Sequence, residues 1–195
     1  LGAVLADKPY LRENVSLIVD IGTNGELVMG NRKRLWAASC ATGPAFEGAH
    51  ISCGMRAVPG AICKLDLDTD SGAVSYELIG EDSPLRPMGL CGSGIIDAVA
   101  ALRRAGIILE NGSFRKDTPG VVYDERGIGR EFILVPKEDT GTGLPLSITL
   151  GDIRQIQLAK AALAVGILYL MRRAEKSADR TVSYTHLTLP TNREV

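Results

Sequence analysis

Ser16–Leu27 reads SLIVDIGTNGEL. Leu17, Ile18 and Val19 make an apolar β-run that carries Asp20 to its carboxyl end, and a second β-run begins at Glu26. Between them lies a turn rich in glycine, threonine and asparagine. Gly22 and Gly25 leave that turn free to adopt positive φ and let a ligand approach the backbone. The Thr23 hydroxyl and successive amides can then face an anion, while Asp20 can hold a metal or a water. The alternative is a β-hairpin closed by a type I′ Asn24-Gly25 turn. The two readings are compatible, because a phosphate loop can itself be the hairpin.

The composition bounds what such a turn could serve. The 195 residues are 45% hydrophobic and 23% charged, with a formal net charge of −1. That is ordinary for a globular protein with one good core or two small ones. Near-neutral charge argues against nucleic acid as a partner, since Arg32-Lys33-Arg34 is the one dense basic run. Cys40, Cys53, Cys63 and Cys91 are widely and irregularly spaced, and with only His50 and His186 besides, they spell no zinc or iron–sulfur ligand set. Reduced thiols and a cytoplasmic location are expected. The longest apolar stretch, Ala161–Met171, is too short to span a bilayer, so no membrane partner is expected.

Outward from the first hairpin, Leu35–Cys40 predicts a third strand, and Pro44 opens a short helix over Ala45–Ile51. Gly54–Ile62 predicts a turn into another strand. Lys64–Leu78 predicts an exposed hairpin around Asp68–Gly72, followed by a linker with Pro84 and Pro87. Gly89–Gly94 is a glycine-rich turn opening a helix over Ile95–Arg104, which Gly106 stops. Residues 110–147 predict polar loops and a hairpin around the strand Phe132–Val135. A long helix runs from Gly151 to about Ala174, with Thr149 as N-cap and Asp152 three residues on, a capping box. Its two apolar stripes, one through Ile153, Leu163 and Leu170 and one through Leu158, Val165 and Tyr169, predict a helix sandwiched between layers. The order of elements is that of an α/β fold with a mixed sheet.

Three segments could converge at the carboxyl edge of that sheet, where open α/β folds bind ligands. They are Asp20–Glu26, Thr42–Gly48 with Glu47, and Gly89–Gly94 with Asp97. A helix N-terminus with free amides attracts phosphate, yet a glycine turn made for close packing explains Gly92, Ser93 and Gly94 equally well. Asp97 reads as a helix-start acid, Glu47 alone as a solvated helix acid, and Lys160 as a side chain snorkelling to the surface. There is no Ser/His/Asp or Cys/His set for nucleophilic catalysis.

DIGTNGE (Asp20–Glu26), CATGPAFEGAHISCGMRAVPGAI (Cys40–Ile62), GLCGSGIIDAV (Gly89–Val99) and GDIRQIQLAKAAL (Gly151–Leu163) together resemble the reductive activators of corrinoid proteins. The resemblance is to the C-terminal domain of that family, of the actin, heat-shock chaperone and sugar-kinase (ribonuclease H-like) fold, and covers residues 1–181. It implies a mixed sheet with flanking helices, second lobe only, with DIGTNGE as the fold's second phosphate motif. It also implies ATP-dependent reduction of a corrinoid protein from Co(II) to Co(I), with a 2Fe-2S cluster in an N-terminal ferredoxin-type domain. On that likeness Asp20 orients Mg2+ or the attacking water, and Gly22, Thr23, Asn24, Gly25 and Glu26 hold the β- and γ-phosphates of ATP. Gly92, Ser93 and Gly94 line the same cleft, Glu47 is the further candidate acid, and a homodimer is a candidate assembly.

The chain departs from that pattern. It has no ferredoxin cysteines, no first lobe, and no glycine-rich adenosine loop after the last helix. A fragment, inactive alone and supplying part of the ATP-binding lobe, is therefore expected. Residues 182–195 break the preceding pattern and are expected to be a non-native tail. A small-molecule kinase of the same superfold, or a docking module for a corrinoid protein without turnover, are the competing functions.

Overall fold

Period-two alternation shapes the first sheet. In β1 (Ser16–Ile21), Leu17, Val19 and Ile21 share one face, opposite Met29, Leu27 and Gly25 of the antiparallel β2 (Gly25–Asn31). A computed structural model of the chain describes residues 1–69, 71–80 and 85–175, and the backbone of 182–186. α1 (Gly2–Asp7) precedes this hairpin, and β3 (Arg34–Cys40), β4 (Ala61–Leu67), β5 (Val74–Leu78) and β6 (Gly89–Leu90) follow it. Then come α2 (Gly92–Arg104), β7 (Val121–Tyr123), β8 (Gly129–Val135), β9 (Leu146–Thr149), α3 (Leu150–Ala174) and β10 (Val182–His186).

Two compact units divide the chain. The first comprises Leu1–Pro44 and Leu158–Thr188. Its sheet has the order β10-β1-β2-β3, antiparallel except for β10, which runs parallel to β1. Leu27 and Met29 are wholly buried, and α3 covers their face at very close range. A Cβ on Gly166 would overlap Cys40 Sγ and Leu27 Cδ1, and one on Gly25 would overlap Leu163 Cδ2.

The second unit, Ala45–Gln157, holds the sheets β5-β4-β6 and β7-β8-β9 around α2. Ile62, Leu90, Ile95, Leu102, Ile148 and Ile153 form its fully buried centre. α2 lies tight on β4. A Cβ on Gly94 would overlap the Ile62 carbonyl oxygen, and Asp97 Oδ2 accepts a hydrogen bond from the Leu65 amide at 3.3 Å. α3 opens with the expected reciprocal cap. Asp152 N donates to Thr149 Oγ1 at 3.1 Å, and Thr149 N donates to Asp152 Oδ2 at 2.8 Å.

Several expectations need correction. The first hairpin has a three-residue loop, Gly22–Asn24, closed by Gly22 N–H donating to Asn24 O at 3.0 Å. Asn24 and Gly25 both keep negative φ, so there is no type I′ turn, and Gly25 is small because Leu163 leaves it no room. The helix predicted over Ala45–Ile51 is a 3-10 turn, Pro44–Glu47, because the chain turns left-handed at Gly48 and His50. The hairpin expected within residues 110–147 is present as β7 and β8, and β9, which begins at Leu146, adds a third strand to it.

α3 is buried along one stripe only: Leu158, Val165 and Leu168 are 66%, 68% and 65% exposed, and Lys160 is exposed. The sandwich reading fails on the second stripe. By length and composition α3 would also satisfy a membrane span, although Ala161–Met171 alone falls short. Asp70, Pro84 and Leu187–Val195, which carried expectations about a turn, a linker and the tail, lie outside the described residues.

The two glycines at helix starts should behave oppositely. Gly94→Ala must displace backbone and is expected to lower unfolding free energy in urea by about 1–3 kcal/mol. Gly151→Ala meets nothing closer than Thr149 Oγ1 at 3.5 Å and is expected to be neutral or to stabilise by up to about 1 kcal/mol.

Candidate functional site

The loop Gly22–Asn24 sits where β1 ends. Thr42, just beyond β3 and 6% exposed, holds it from below, its hydroxyl reaching Thr23 O at 3.1 Å and Gly22 O at 3.4 Å. Thr23 and Asn24 are exposed, while Asp20 and Gly22 are half-buried. Ladder register sets Asp20 directly opposite Glu26, and Glu26 opposite Ser39. Directly opposed residues share a face with Cβ atoms about 4.5–5.5 Å apart, so two carboxylates stand together beside the loop. Ser39 Oγ donates to Glu26 Oε1 at 2.9 Å. Burial first, and the Glu26 carboxylate second, push the Cys40 thiol pKa up.

Two carboxylates with an exposed threonine and asparagine suit a hard cation that completes its shell with phosphate oxygens and water, the habit of Mg2+. Among the described residues no group of three or more His, Cys, Asp or Glu could hold a metal ion, so a cation here would take two carboxylates and complete its shell elsewhere. The four cysteines are free thiols.

The other predicted residues belong to the second unit. Glu47 ends the 3-10 turn and is half-buried. Gly92 and Gly94 are buried, and Ser93 Oγ donates to Cys63 O at 2.7 Å while Cys91 Sγ lies 3.3 Å from Ser93 Oγ. Close packing against β4 therefore accounts for Gly94 and for the Ser93 hydroxyl. Asp97 is committed to the Leu65 amide. Asp20–Glu26 lie in the first unit. Glu47 and Gly92–Gly94 share the second, where the strand pair Gly54–Leu90 ties their segments together.

Sequence reasoning missed Thr42 as the prop of the loop and Ser52 as a partner of Asp152. Ser52 N and Oγ donate to Asp152 Oδ1 at 2.8 and 3.2 Å across 100 residues of sequence. Neither carries a local signal, since both contacts exist only in the folded chain. A cavity of about 1020 Å3, between the β7–β8 turn and the start of α3, contains none of the predicted site residues.

Cys53, next to Ser52, donates its thiol to Ser147 O at 2.9 Å, and burial raises its pKa from 9.0 to about 11. Unfolding frees this thiol to ionise at its ordinary pKa. Its contribution is therefore intact below pH 9.0 and lost as pH rises toward 11. Urea titrations across that window should show a fall of about 2 kcal/mol that Cys53→Ala abolishes.

Residues 14–184 match a family profile described as the C-terminal domain of RACo, the ASKHA domain. The chain is 39% identical over 178 residues to the corrinoid activation enzyme RamQ of Eubacterium limosum, a match covering 86% of this chain and 28% of that protein. It is 36% identical over 150 residues to the Co(II) methylated amine-specific corrinoid protein reductase of Methanosarcina barkeri, covering 66% of this chain and 28% of that one. A solved reductive activator for corrinoid,iron-sulfur protein superposes with a TM-score of 0.85 at 33% identity, over 97% of this chain and 30% of the other. The chain thus spans under a third of the length of these relatives.

Proposed function

Because this chain belongs to the family of the C-terminal ASKHA domain of RACo, with its actin-like fold, we propose that it supplies part of the ATP-binding lobe of a reductive activator that returns a corrinoid protein from Co(II) to Co(I). In that role Asp20 and Glu26 hold Mg2+, and the Gly22–Gly25 loop holds the β- and γ-phosphates. Glu47, Gly92, Ser93 and Gly94, in the second unit, are further candidates for nucleotide contacts. Bound MgATP supplies the free energy of phosphoryl transfer to water. The chain's own residues position the phosphates and balance their charge. The electron passed to the cobalt, the substrate, comes from a 2Fe-2S donor carried outside these residues. Free thiols suit a cytoplasmic setting.

One observation carries the reading: the register sets Asp20 against Glu26 beside the exposed Thr23 and Asn24. Two carboxylates on one face beside an exposed threonine and asparagine supply hard oxygen ligands of the kind a divalent cation takes. The names of the relatives, corrinoid activation enzyme and corrinoid protein reductase, favour activation over the kinase and docking alternatives.

Calorimetric titration of MgATP into the chain should give saturable binding that Asp20→Asn weakens at least tenfold, about 1.4 kcal/mol. Equal binding by both proteins would remove Asp20 from the site. Placed within a full-length activator with reductant and a corrinoid protein, the domain should yield the cob(I)alamin spectrum only when ATP is present. Cob(I)alamin formed equally without ATP would refute ATP dependence.

A further inference from the structure

Among the described residues, Asp152 is the one charged side chain that is fully buried, at 2% exposed. A buried carboxylate is costly unless donors surround it. Here Oδ1 accepts from Ser52 N and Oγ, and Oδ2 accepts from Thr149 N. Half of this is the helix cap. The other half reaches a loop that owes nothing to α3 in sequence.

That loop, residues 47–55, is folded back on itself. Gly48 (φ 82) has no room for a Cβ beside Met55 O, and a Cβ on Gly54 would overlap Gly48 O. Past Ser52 the loop is stitched to β6: Leu90 N donates to Cys53 O at 2.9 Å, and Met55 N donates to Leu90 O at 2.8 Å. Leu90 is followed at once by Cys91 and the Gly92–Gly94 turn. Glu47 lies at one end of the clamped loop and the glycine turn at the other.

We infer that Asp152 is a positioning residue that holds Glu47 and the Gly92–Gly94 turn in one fixed arrangement through Ser52. Its consequence for nucleotide affinity rests on the function proposed above; its consequence for the loop does not. Asp152→Ala removes both halves of the clamp. Asp152→Asn keeps Oδ1 as an acceptor for Ser52 while losing the acceptor for Thr149 N. Thr149→Ala removes the cap acceptor for Asp152 N and the 3.2 Å contact between Ser52 Oγ and Thr149 Oγ1, and leaves Ser52 N on Asp152 Oδ1.

The test is amide hydrogen exchange and MgATP calorimetry on the full chain carrying each variant. Asp152→Ala should speed exchange at residues 48–55 and 89–94 at least tenfold and weaken MgATP at least fivefold. Exchange in β4 and β8 should stay within twofold, as should all of these readings for Thr149→Ala and Asp152→Asn. If Asp152→Ala and Thr149→Ala behave alike, Asp152 is a helix cap and the inference is overturned. Should Asp152→Ala fail to fold, Ser52→Pro decides, since it removes both the amide and the hydroxyl donor to Asp152 Oδ1: exchange at 48–55 faster than in Thr149→Ala supports the clamp, and equal exchange overturns it. A wild-type chain with no affinity for MgATP would sink the nucleotide reading, while the exchange comparison still decides the clamp.

Discussion

The first unit depends on how closely α3 approaches the first sheet. Gly166 lies where any side chain would strike Cys40 and Leu27, and Gly25 lies where any side chain would strike Leu163. Contacts at that range leave no gap over Leu27 and Met29, and dispersion falls steeply with separation. The loop Gly22–Asn24 is held by the same packing, since Gly25 is its first neighbour in β2 and Thr42 is its prop. The Gly22–Asn24 loop thus abuts a helix whose own sequence carries none of the loop's chemistry.

The first hairpin was legible because alternation over Ser16–Ile21 and Gly25–Asn31 is a local signal, and so was the capping box at Thr149 and Asp152. The turn was misread because Asn24-Gly25 is a hairpin signal only when nothing else constrains the glycine. Here helix packing decides Gly25, which takes no positive φ. The second stripe of α3 failed for a related reason. Apolar residues at Leu158, Val165 and Tyr169 predict a covering layer, but periodicity cannot say what provides the cover, and the described residues leave that face exposed.

The site divides in the same way. Asp20 and Glu26 were identified by motif, but their opposition across the strands follows from register, which the turn length sets. Reading a two-residue turn in place of the three-residue loop would have shifted every pair. Ser52 could not be found at all, since its partner lies 100 residues away. Long-range hydrogen bonds leave no periodicity and no local composition to read.

Motif glycines and motif acids therefore support function unequally. Gly94 is demanded by the Ile62 carbonyl, so folding alone would retain it in a chain that binds nothing, and at Gly25 only the Leu163 side chain would overlap. Asp20 and Glu26 are set side by side across the strands, and Ser39 donates to Glu26. The acids beside this loop, more than its glycines, are the groups that would suit a cation with phosphate oxygens.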